Sequence, residues 1–239
     1  MNSTNMDTAA RLFPARWCVL DGSMLKILAV VLMLIDHIAH LFRLGDGIVL
    51  LSVGASELTL YEAFRYAGRL AFPLFAFLLV EGFLHTRNRK RYALRLLIFA
   101  LISEIPFNLF CSGNFLYTRQ NVFFTLLFGF LGLCALEKLL GWRRVLCVIG
   151  LFGIAYFFRA DYAQTGYVLI LLLYALRSVP VVRALGITTV SGIPAGASAL
   201  PIALYNGERG CIKGRAFGIA FYVFYPAHLL LLVLIKILL

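Results

Sequence analysis

Charged residues are scarce in this chain of 239 residues, and acidic residues are scarcer than basic ones. Only 14% of the sequence is Asp, Glu, Lys or Arg, with 11 acidic residues against 22 basic ones, whereas 62% is hydrophobic. A soluble domain of this length needs many more polar residues to cover its surface. The composition therefore excludes an ordinary soluble protein and indicates a protein of the lipid bilayer.

Cysteine motifs and a signal peptide are also missing. The opening MNSTNMDTAARLFPARW is polar and has no apolar core followed by a cleavage site, so we expect the first apolar helix to act as the insertion signal. The five cysteines show neither CxxC nor metal-binding spacing, and we expect them to be small buried apolar residues rather than a disulfide framework. They are Cys18, Cys111, Cys134, Cys147 and Cys211.

Long apolar runs are what the sequence has in abundance. A helix of roughly 20 apolar residues can cross a bilayer. We predict an all-α, polytopic membrane helix bundle in one domain, 1–239, with 1–23 as a cytoplasmic N-terminal segment. The segment 45–63 is too short and broken to span, and is expected to be re-entrant or interfacial. About eight spans are predicted, at 24–43, 63–84, 92–110, 121–140, 144–159, 164–179, 184–205 and 216–238.

Basic residues concentrate in a few loops. Eight spans place the loops 85–95, 141–144 and 177–183 on the same side as the N-terminus, and the positive-inside rule assigns that side to the cytoplasm. We therefore predict a multi-pass cell-membrane protein with both termini cytoplasmic. The same rule explains most of the net charge of +11 without a nucleic-acid partner. The basic loop 206–215 is an exception, because eight spans place it outside.

The stretch LMLIDHIAHLF (32–42) contains three ionisable residues inside an apolar run: Asp36, His37 and His40. A charged residue at the centre of a membrane helix costs about 2.5–3.5 kcal/mol on insertion scales. Helical geometry puts Asp36 and His40 on nearly one face, with His37 about 100° away and about three turns from Lys26, near mid-depth. A structural pair is one explanation. A functional site is the other, and ionisable residues inside membranes usually mark one.

Other polar residues could join this site. Arg69 in the second span is predicted to reach Asp36 or an anionic group near it, because guanidinium suits carboxylates and phosphates. Glu81 and His85 have the i,i+4 spacing of a metal pair but no third ligand, so helix-end hydrogen bonding is the alternative and no metal is predicted. His228 in the last span is either a second site residue or a structural hydrogen-bonding group.

Six segments of the chain together carry a resemblance to a known family. They are LKILAVVLMLIDHIAHLF, GRLAFPLFAFLLVEGFLHTRNRKRY, RLLIFALISEIPFNL, QNVFFTLL, LYNGERG and YVFYPAHLLLL. In this order, over most of residues 24–235, they strongly resemble the TraX family, named for a conjugation protein implicated in N-terminal acetylation of F-pilin. The resemblance implies an integral-membrane acetyltransferase that uses acetyl-CoA. It extends distantly to transmembrane acyltransferases such as the acyltransferase-3 proteins and the lysosomal heparan-sulfate acetyltransferase.

The resemblance also implies roles for individual residues. In acyltransferase-3 proteins a basic residue precedes an essential histidine by eleven positions, as Lys26 precedes His37 here. His37 would be the general base or the acetyl carrier, and Asp36 would orient its imidazole. Arg69 or Asn121 would polarise the thioester carbonyl. The CoA phosphates would be bound by Lys26, Arg87, Arg91 and Arg95.

Three functions remain open at this point. The acetyltransferase would act on a pilin N-terminus, a small amine or a glycan. A proton-coupled transporter would instead use Asp36, His37 and His40 as a relay, and would accumulate substrate without acyl-CoA. A non-enzymatic assembly or scaffold protein would tolerate His37→Ala. The loop 85–95 serves the first function by binding CoA, or serves only topology and attraction to anionic lipid.

Overall fold

A computed structural model of the protein describes residues 12–53, 56–210 and 214–239. Residues 1–11 of the predicted N-terminal segment 1–23, together with Cys211 and Lys213, lie outside the described residues. The described chain is almost entirely helical, as predicted. Its helices are α1 (Gly22–Phe42), α2 (Leu60–Arg69), α3 (Ala71–His85), α4 (Arg89–Ser112), α5 (Val122–Lys138), α6 (Gly141–Phe157), α7 (Ala163–Ala175), α8 (Pro180–Ser191), α9 (Ile193–Gly196), α10 (Ala199–Ala203) and α11 (Arg215–Leu238).

Four of these segments are long and apolar enough to cross a bilayer: Gly22–Phe42, Leu60–His85, Arg89–Ser112 and Gly218–Leu238. The second consists of α2 and α3, which follow one another directly. The helices α5, α6 and α7 are shorter, at 17, 17 and 13 residues. The prediction of a helical membrane bundle is confirmed, because each predicted span coincides with helix.

Local signals in the sequence start the helices at the observed positions. The Asp21 carboxylate accepts hydrogen bonds from the backbone N–H groups of Ser23 and Met24, both at 2.8 Å, and so caps α1. Thr59 and Glu62 form a reciprocal capping box at the start of α2. Such caps satisfy backbone donors that have no partner within the helix.

The segment 45–63, predicted to be re-entrant or interfacial, contains a β-hairpin. Strands β1 (Val49–Val53) and β2 (Ser56–Thr59) pair antiparallel, and the hairpin leads directly into α2. Gly45 and Gly47, with φ of 79° and 80°, provide the left-handed backbone that turns the chain before β1. The hairpin was not predicted, because its apolar residues do not alternate regularly with polar ones.

The helices α1 and α11 run parallel to each other. The backbone N–H of Gly22, at the start of α1, donates to the carbonyl of Glu208, just before α11, at 2.8 Å. Further along both helices, His37 of α1 contacts His228 of α11. Two helices that begin together and still touch fifteen residues into α1 must point in the same direction.

The basic loops lie at the end of the bundle where α1 and α11 begin. There, Arg89 at the start of α4 pairs with Glu137 at the end of α5, with 2.6 Å between Nη2 and Oε2. The Tyr174 hydroxyl, near the end of α7, donates to the same carboxylate at 3.0 Å. We call this end, with the loops 85–95, 141–144 and 177–183, the basic end, and the opposite one the far end.

The predicted span 184–205 does not cross the bundle. Arg183, near the start of α8, and Tyr205, just after α10, both pack on the ring of Phe77, at 5.6 Å and 5.4 Å from its centroid. The chain therefore enters the bundle along α8 and returns to the same level through α9 and α10. Gly192 lies between α8 and α9 with φ of 88°, and its left-handed conformation reverses the chain. A span was predicted here because residues 184–205 are apolar throughout, and apolar composition alone does not indicate a reversal of the chain.

This re-entrant segment changes the predicted topology. Among the described residues it leaves seven segments that run between the two ends, so residues 206–210, before α11, lie at the basic end with the other basic loops. Its apparent exception to the positive-inside rule disappears. In the structure α1 begins at the basic end and α11 ends at the far end, whereas eight spans would place these two flanks at the same end. The side of the membrane that each terminus faces stays a prediction.

Candidate functional site

A large cavity of about 1690 Å³ runs through the bundle between α1, α2, α3, α4 and α11. Its walls are mostly apolar and aromatic. Charged side chains line it at both ends, with Lys26, Arg91 and Arg95 at the basic end and Arg69 and Arg119 at the far end. A cavity with apolar walls and a few convergent polar groups is the usual form of a small-molecule site.

His37 lines this cavity and is hydrogen-bonded to His228 behind it. Its Nδ1 lies 2.7 Å from Nε2 of His228, and the two rings are stacked at 5.0 Å between centroids. Nδ1 of His228 lies 2.8 Å from the carbonyl oxygen of Phe224, four residues earlier on α11. The ring of Phe110 covers His37 from α4, at 5.0 Å.

This chain of contacts fixes the positions of the protons on the two neutral rings. A carbonyl oxygen only accepts, so Nδ1 of His228 carries the proton donated to Phe224. Its Nε2 is then an acceptor, and Nδ1 of His37 must be the donor between the two rings. Nε2 of His37 is left with an unshared electron pair, and within the described ranges no protein group is bonded to it. The arrangement leaves His37 available as a base.

Asp36, the neighbour of His37, forms an ion pair with a residue that the sequence analysis did not name as its partner. Its Oδ1 lies 2.8 Å from Nη1 of Arg65 on α2, whereas the sequence pointed to Arg69 as partner and to His37 as the ring that Asp36 orients. His228 occupies that orienting position instead. Gly68 allows the close approach of α2, because a Cβ there would clash with the Asp36 side chain.

The depth of the site also differs from expectation. His37 lies fifteen residues after the start of α1 and five before its end at Phe42. At 1.5 Å per residue it is about 22 Å from the basic end of the helix and about 8 Å from the far end. It is therefore well beyond mid-depth. His40, one turn further on, is exposed and lines the cavity near Phe110, at 5.9 Å between ring centroids.

At the basic end the structure separates the predicted CoA-binding residues. Lys26 lies over the ring of Phe221 with its Nζ 5.8 Å from the centroid, and lines the cavity together with Arg91 and Arg95. Arg209 from the loop before α11 joins this lining. Arg87 does not, because it lies in a separate shallow groove on the surface.

Asn121 has a structural role in place of the predicted catalytic or CoA-binding one. Its Nδ2 donates to the carbonyl of Ala100 at 2.7 Å and to Oε2 of Glu104 at 2.5 Å. Its Oδ1 accepts from the backbone N–H of Phe123 at 3.1 Å and so caps α5. Both amide protons are used, so Asn121 has no donor left for a thioester or phosphate.

His85 and Glu81, the possible metal pair, form a helix-end hydrogen bond. Nδ1 of His85 lies 2.8 Å from the backbone carbonyl of Glu81 and 3.9 Å from its carboxylate. No group of three or more His, Cys, Asp or Glu side chains that could hold a metal ion occurs in the described residues.

The far end of the cavity contains a second acidic residue, Asp161, in the loop between α6 and α7. Surrounding protein removes most of the water around its carboxyl group, and this burial raises the pKa of Asp161 to about 6. The positive charges of Arg119 and Arg69 act in the opposite direction. Burial likewise raises the pKa of the neighbouring Tyr162 hydroxyl. In the sequence, Asp161 and Tyr162 are recognisable only as polar residues at a helix end. Nothing in the sequence indicates that they lie near Asp36, as they do in the structure.

Comparison with known sequences matches residues 21–236 to the model of the TraX protein family. The chain belongs to the TraX family. A related protein is the "Probable fimbrial assembly protein FimC, serogroup H1" of Dichelobacter nodosus, which is 33% identical over 240 residues, covering 87% of this chain and 92% of the relative. No solved structure matches the chain.

The part of the chain that matches the TraX family includes every residue that lines the cavity. The match begins at residue 21, directly before α1, and ends at residue 236, near the end of α11. The matched region therefore includes the His37–His228 pair, the Asp36–Arg65 ion pair and the residues that line the cavity at the basic end.

Proposed function

We propose that this TraX-family protein is a membrane acetyltransferase that moves an acetyl group from acetyl-CoA to an amine or hydroxyl acceptor. The observation that carries the proposal is the His37–His228 pair, which leaves one unprotonated nitrogen of His37 facing a cavity inside a membrane bundle. A half-buried, oriented imidazole of this kind suits general-base catalysis.

The basic end of the cavity fits the donor. CoA carries several phosphate groups, which would be held at the basic end of the cavity. The cavity is lined there by Lys26, Arg91, Arg95 and Arg209. Arg suits bidentate phosphate contacts. From Lys26 to His37 the cavity follows α1 for eleven residues, about 16 Å, so the pantetheine arm would extend inward and carry the thioester toward His37.

The reaction balances with His37 as the proton carrier. Its Nε2 accepts the proton of the acceptor N–H or O–H while the acceptor atom attacks the thioester carbonyl carbon. A C–N or C–O bond forms and the C–S bond breaks. The proton then passes from His37 to the departing sulfur, so CoA leaves as a thiol. While His37 is protonated, its Nδ1–H continues to donate to His228, which stabilises the cation and holds the ring in place.

A role in assembling surface fibres is the second candidate, and the name of the Dichelobacter relative supports it. The two functions are compatible if the acceptor is a fibre subunit, since acetylation of an N-terminal amine would then precede assembly. An assembly protein without enzymatic activity would need neither acetyl-CoA nor His37.

The test is transfer of radiolabelled acetyl groups by purified protein in detergent, with candidate amines present or absent. Loss of a general base commonly lowers the rate by about 10²–10⁴. We expect His37→Ala to fold and lose nearly all transfer, Asp36→Asn to lose less, and His40→Ala, as the matched histidine control, to lose least. Wild-type turnover in a stable His37→Ala protein would refute the proposed active site.

In the proposed orientation the basic end faces the cytoplasm, where acetyl-CoA is available. The C-terminal residue then lies on the opposite side. Single cysteines at positions 88, 142 and 208, in a background without native cysteines, should resist impermeant maleimide in intact cells, whereas a cysteine after residue 239 should react. Ready labelling at 88 would reverse the orientation, and protection of the C-terminus would contradict the parallel arrangement of α1 and α11.

A further inference from the structure

Two arginines at the far end of the cavity form no ion pair in the described part of the chain. Arg65 is paired with Asp36, but Arg69 and Arg119 line the cavity, are exposed to it, and form no ion pair or hydrogen bond within residues 12–53, 56–210 and 214–239. Arg69 follows Arg65 by one turn of α2, so it lies about 6 Å further along the same face of the helix.

The charges around these arginines do not balance. Arg65 and Asp36 neutralise each other, which leaves Arg69 and Arg119 against Asp161. Even a fully ionised Asp161 compensates only one of them. Arg119 lies in the loop between α4 and α5, outside the helices, so the two arginines attract an anionic group from the water at this end of the cavity. The imbalance therefore favours an anionic group in this part of the cavity.

The loop beside the arginines is held in a strained conformation. Tyr162 and Ala163 both have positive φ, at 61° and 29°, although neither is glycine. The loop is fixed by hydrogen bonds from the Thr125 hydroxyl to the backbone carbonyl of Asp161 and from the Tyr162 N–H to the Asp161 carboxylate. The Tyr162 ring is thereby stacked on Phe72 at 4.0 Å and 9°, where it lines the cavity. Backbone strain of this kind occurs mainly at binding and catalytic sites.

We propose that Arg69 and Arg119 form an anion subsite for the acceptor, so that the acceptor is an amine or alcohol that also carries a carboxylate or phosphate. This inference rests on the proposed acetyltransferase function. The subsite lies near Asp36, the residue next to His37, so an acceptor held by its anionic group would present its amine or hydroxyl to the base. It assigns Arg69 to the acceptor rather than to the thioester carbonyl.

The first test measures binding without catalysis. Purified protein is titrated with O-phosphoethanolamine, with glycine, and with ethanolamine as the cationic analogue that lacks an anion, and thermal stabilisation reports the dissociation constant. We expect O-phosphoethanolamine and glycine, but not ethanolamine, to stabilise the protein. Arg119→Gln and Arg69→Gln should each weaken O-phosphoethanolamine binding about tenfold or more, because a charge-assisted hydrogen bond is lost. Raised salt should weaken it as well.

Two variants make the result specific. Arg119→Lys keeps the positive charge and should retain most of the binding that Arg119→Gln loses. Lys236→Gln removes a positive charge near the same end of the bundle, outside the cavity lining, and should bind like wild type. Equal stabilisation by ethanolamine and O-phosphoethanolamine, or unchanged binding in the double variant Arg69→Gln/Arg119→Gln, would overturn the subsite.

The second test separates this inference from the proposed function. Acetyl transfer is compared for the same small acceptors and for phosphatidylethanolamine in nanodiscs, which distinguishes a soluble anion from a lipid headgroup. Faster transfer to an anionic acceptor, with the preference lost in Arg119→Gln, supports both. Transfer to ethanolamine at the same kcat/KM would refute the subsite and leave the acetyltransferase standing. Selective binding of O-phosphoethanolamine without transfer to any acceptor would refute the acetyltransferase and leave the subsite.

Discussion

The two ends of the cavity both carry arginines, but they hold them differently. At the basic end, Arg91 and Arg95 lie one turn apart on a single helix, close to a loop that contains several more basic residues. At the far end, Arg65, Arg69 and Arg119 come from two separate parts of the chain and are interleaved with aspartates. The first arrangement suits attraction of a polyanion from water, and the second suits recognition of one small charged group.

The difference shows why similar residues were not equally visible in the sequence. The run RNRKRYALR attracts attention because its charges are neighbours along the chain. Arg119 stands alone in YTRQN, and its relation to Asp161 depends on how the loop before α5 packs against the loop before α7. That packing includes a backbone pair between Gln120 and Ala160. Three experiments would sharpen or break the comparison between the ends.

The largest effect is expected at the basic end. Charge reversal of both Arg91→Glu and Arg95→Glu should weaken acetyl-CoA binding by about a hundredfold, since two cationic contacts become repulsive. Arg87→Glu is the matched control, because this residue belongs to the same loop but lies outside the cavity. Binding is measured by titration calorimetry on detergent-purified protein. An equal loss of acetyl-CoA binding in Arg87→Glu would show that the loop 85–95 attracts anions by its overall charge and contains no specific CoA site.

A smaller effect is expected at the far end, where α1 and α2 meet. Gly68→Ala places a Cβ against the Asp36 side chain and should lower the free energy of unfolding by about 1–3 kcal/mol, because the Asp36–Arg65 pair must move. Gly150→Ala is the control, since nothing lies within 4 Å of a Cβ there and alanine favours helix. Thermal unfolding in one detergent compares the two. Equal stability of both variants would show that this contact is loose.

The smallest effect is a pH dependence of stability from Asp161. Its pKa is raised from 3.8 to about 6 in the folded protein, so the folded state holds a proton that the unfolded chain releases. The free energy of unfolding is therefore greater at low pH and falls as pH rises from about 4 to 6, by at most about 1.4 kcal/mol per pH unit. Melting temperatures at pH 4.5 and 6.5 measure this slope, and Asp161→Asn should flatten it. An unchanged slope in Asp161→Asn would place the titrating group elsewhere.

Much of the site was predictable because intramembrane charge is conspicuous. His37, Asp36 and Lys26 stand out against apolar neighbours, and the structure brings all three to one cavity. Their partners were harder to predict. The choice of Arg65 over Arg69 for Asp36 depends on the rotation of α2 about its axis, and one turn of helix decides it. Asn121 was misassigned because a polar residue before a helix suits both a cap and a site.

The sequence alone determined the membrane bundle and the concentration of positive charge at one end, because the length of apolar runs and the composition of loops are local properties. Tertiary structure decided that residues 184–205 fold back, that α11 runs parallel to α1, and that His228 stands behind His37. Each of these depends on contacts between residues far apart in the chain, such as Tyr205 with Phe77 and His37 with His228. Periodicity and composition contain no record of such contacts, since they describe each helix without its neighbours.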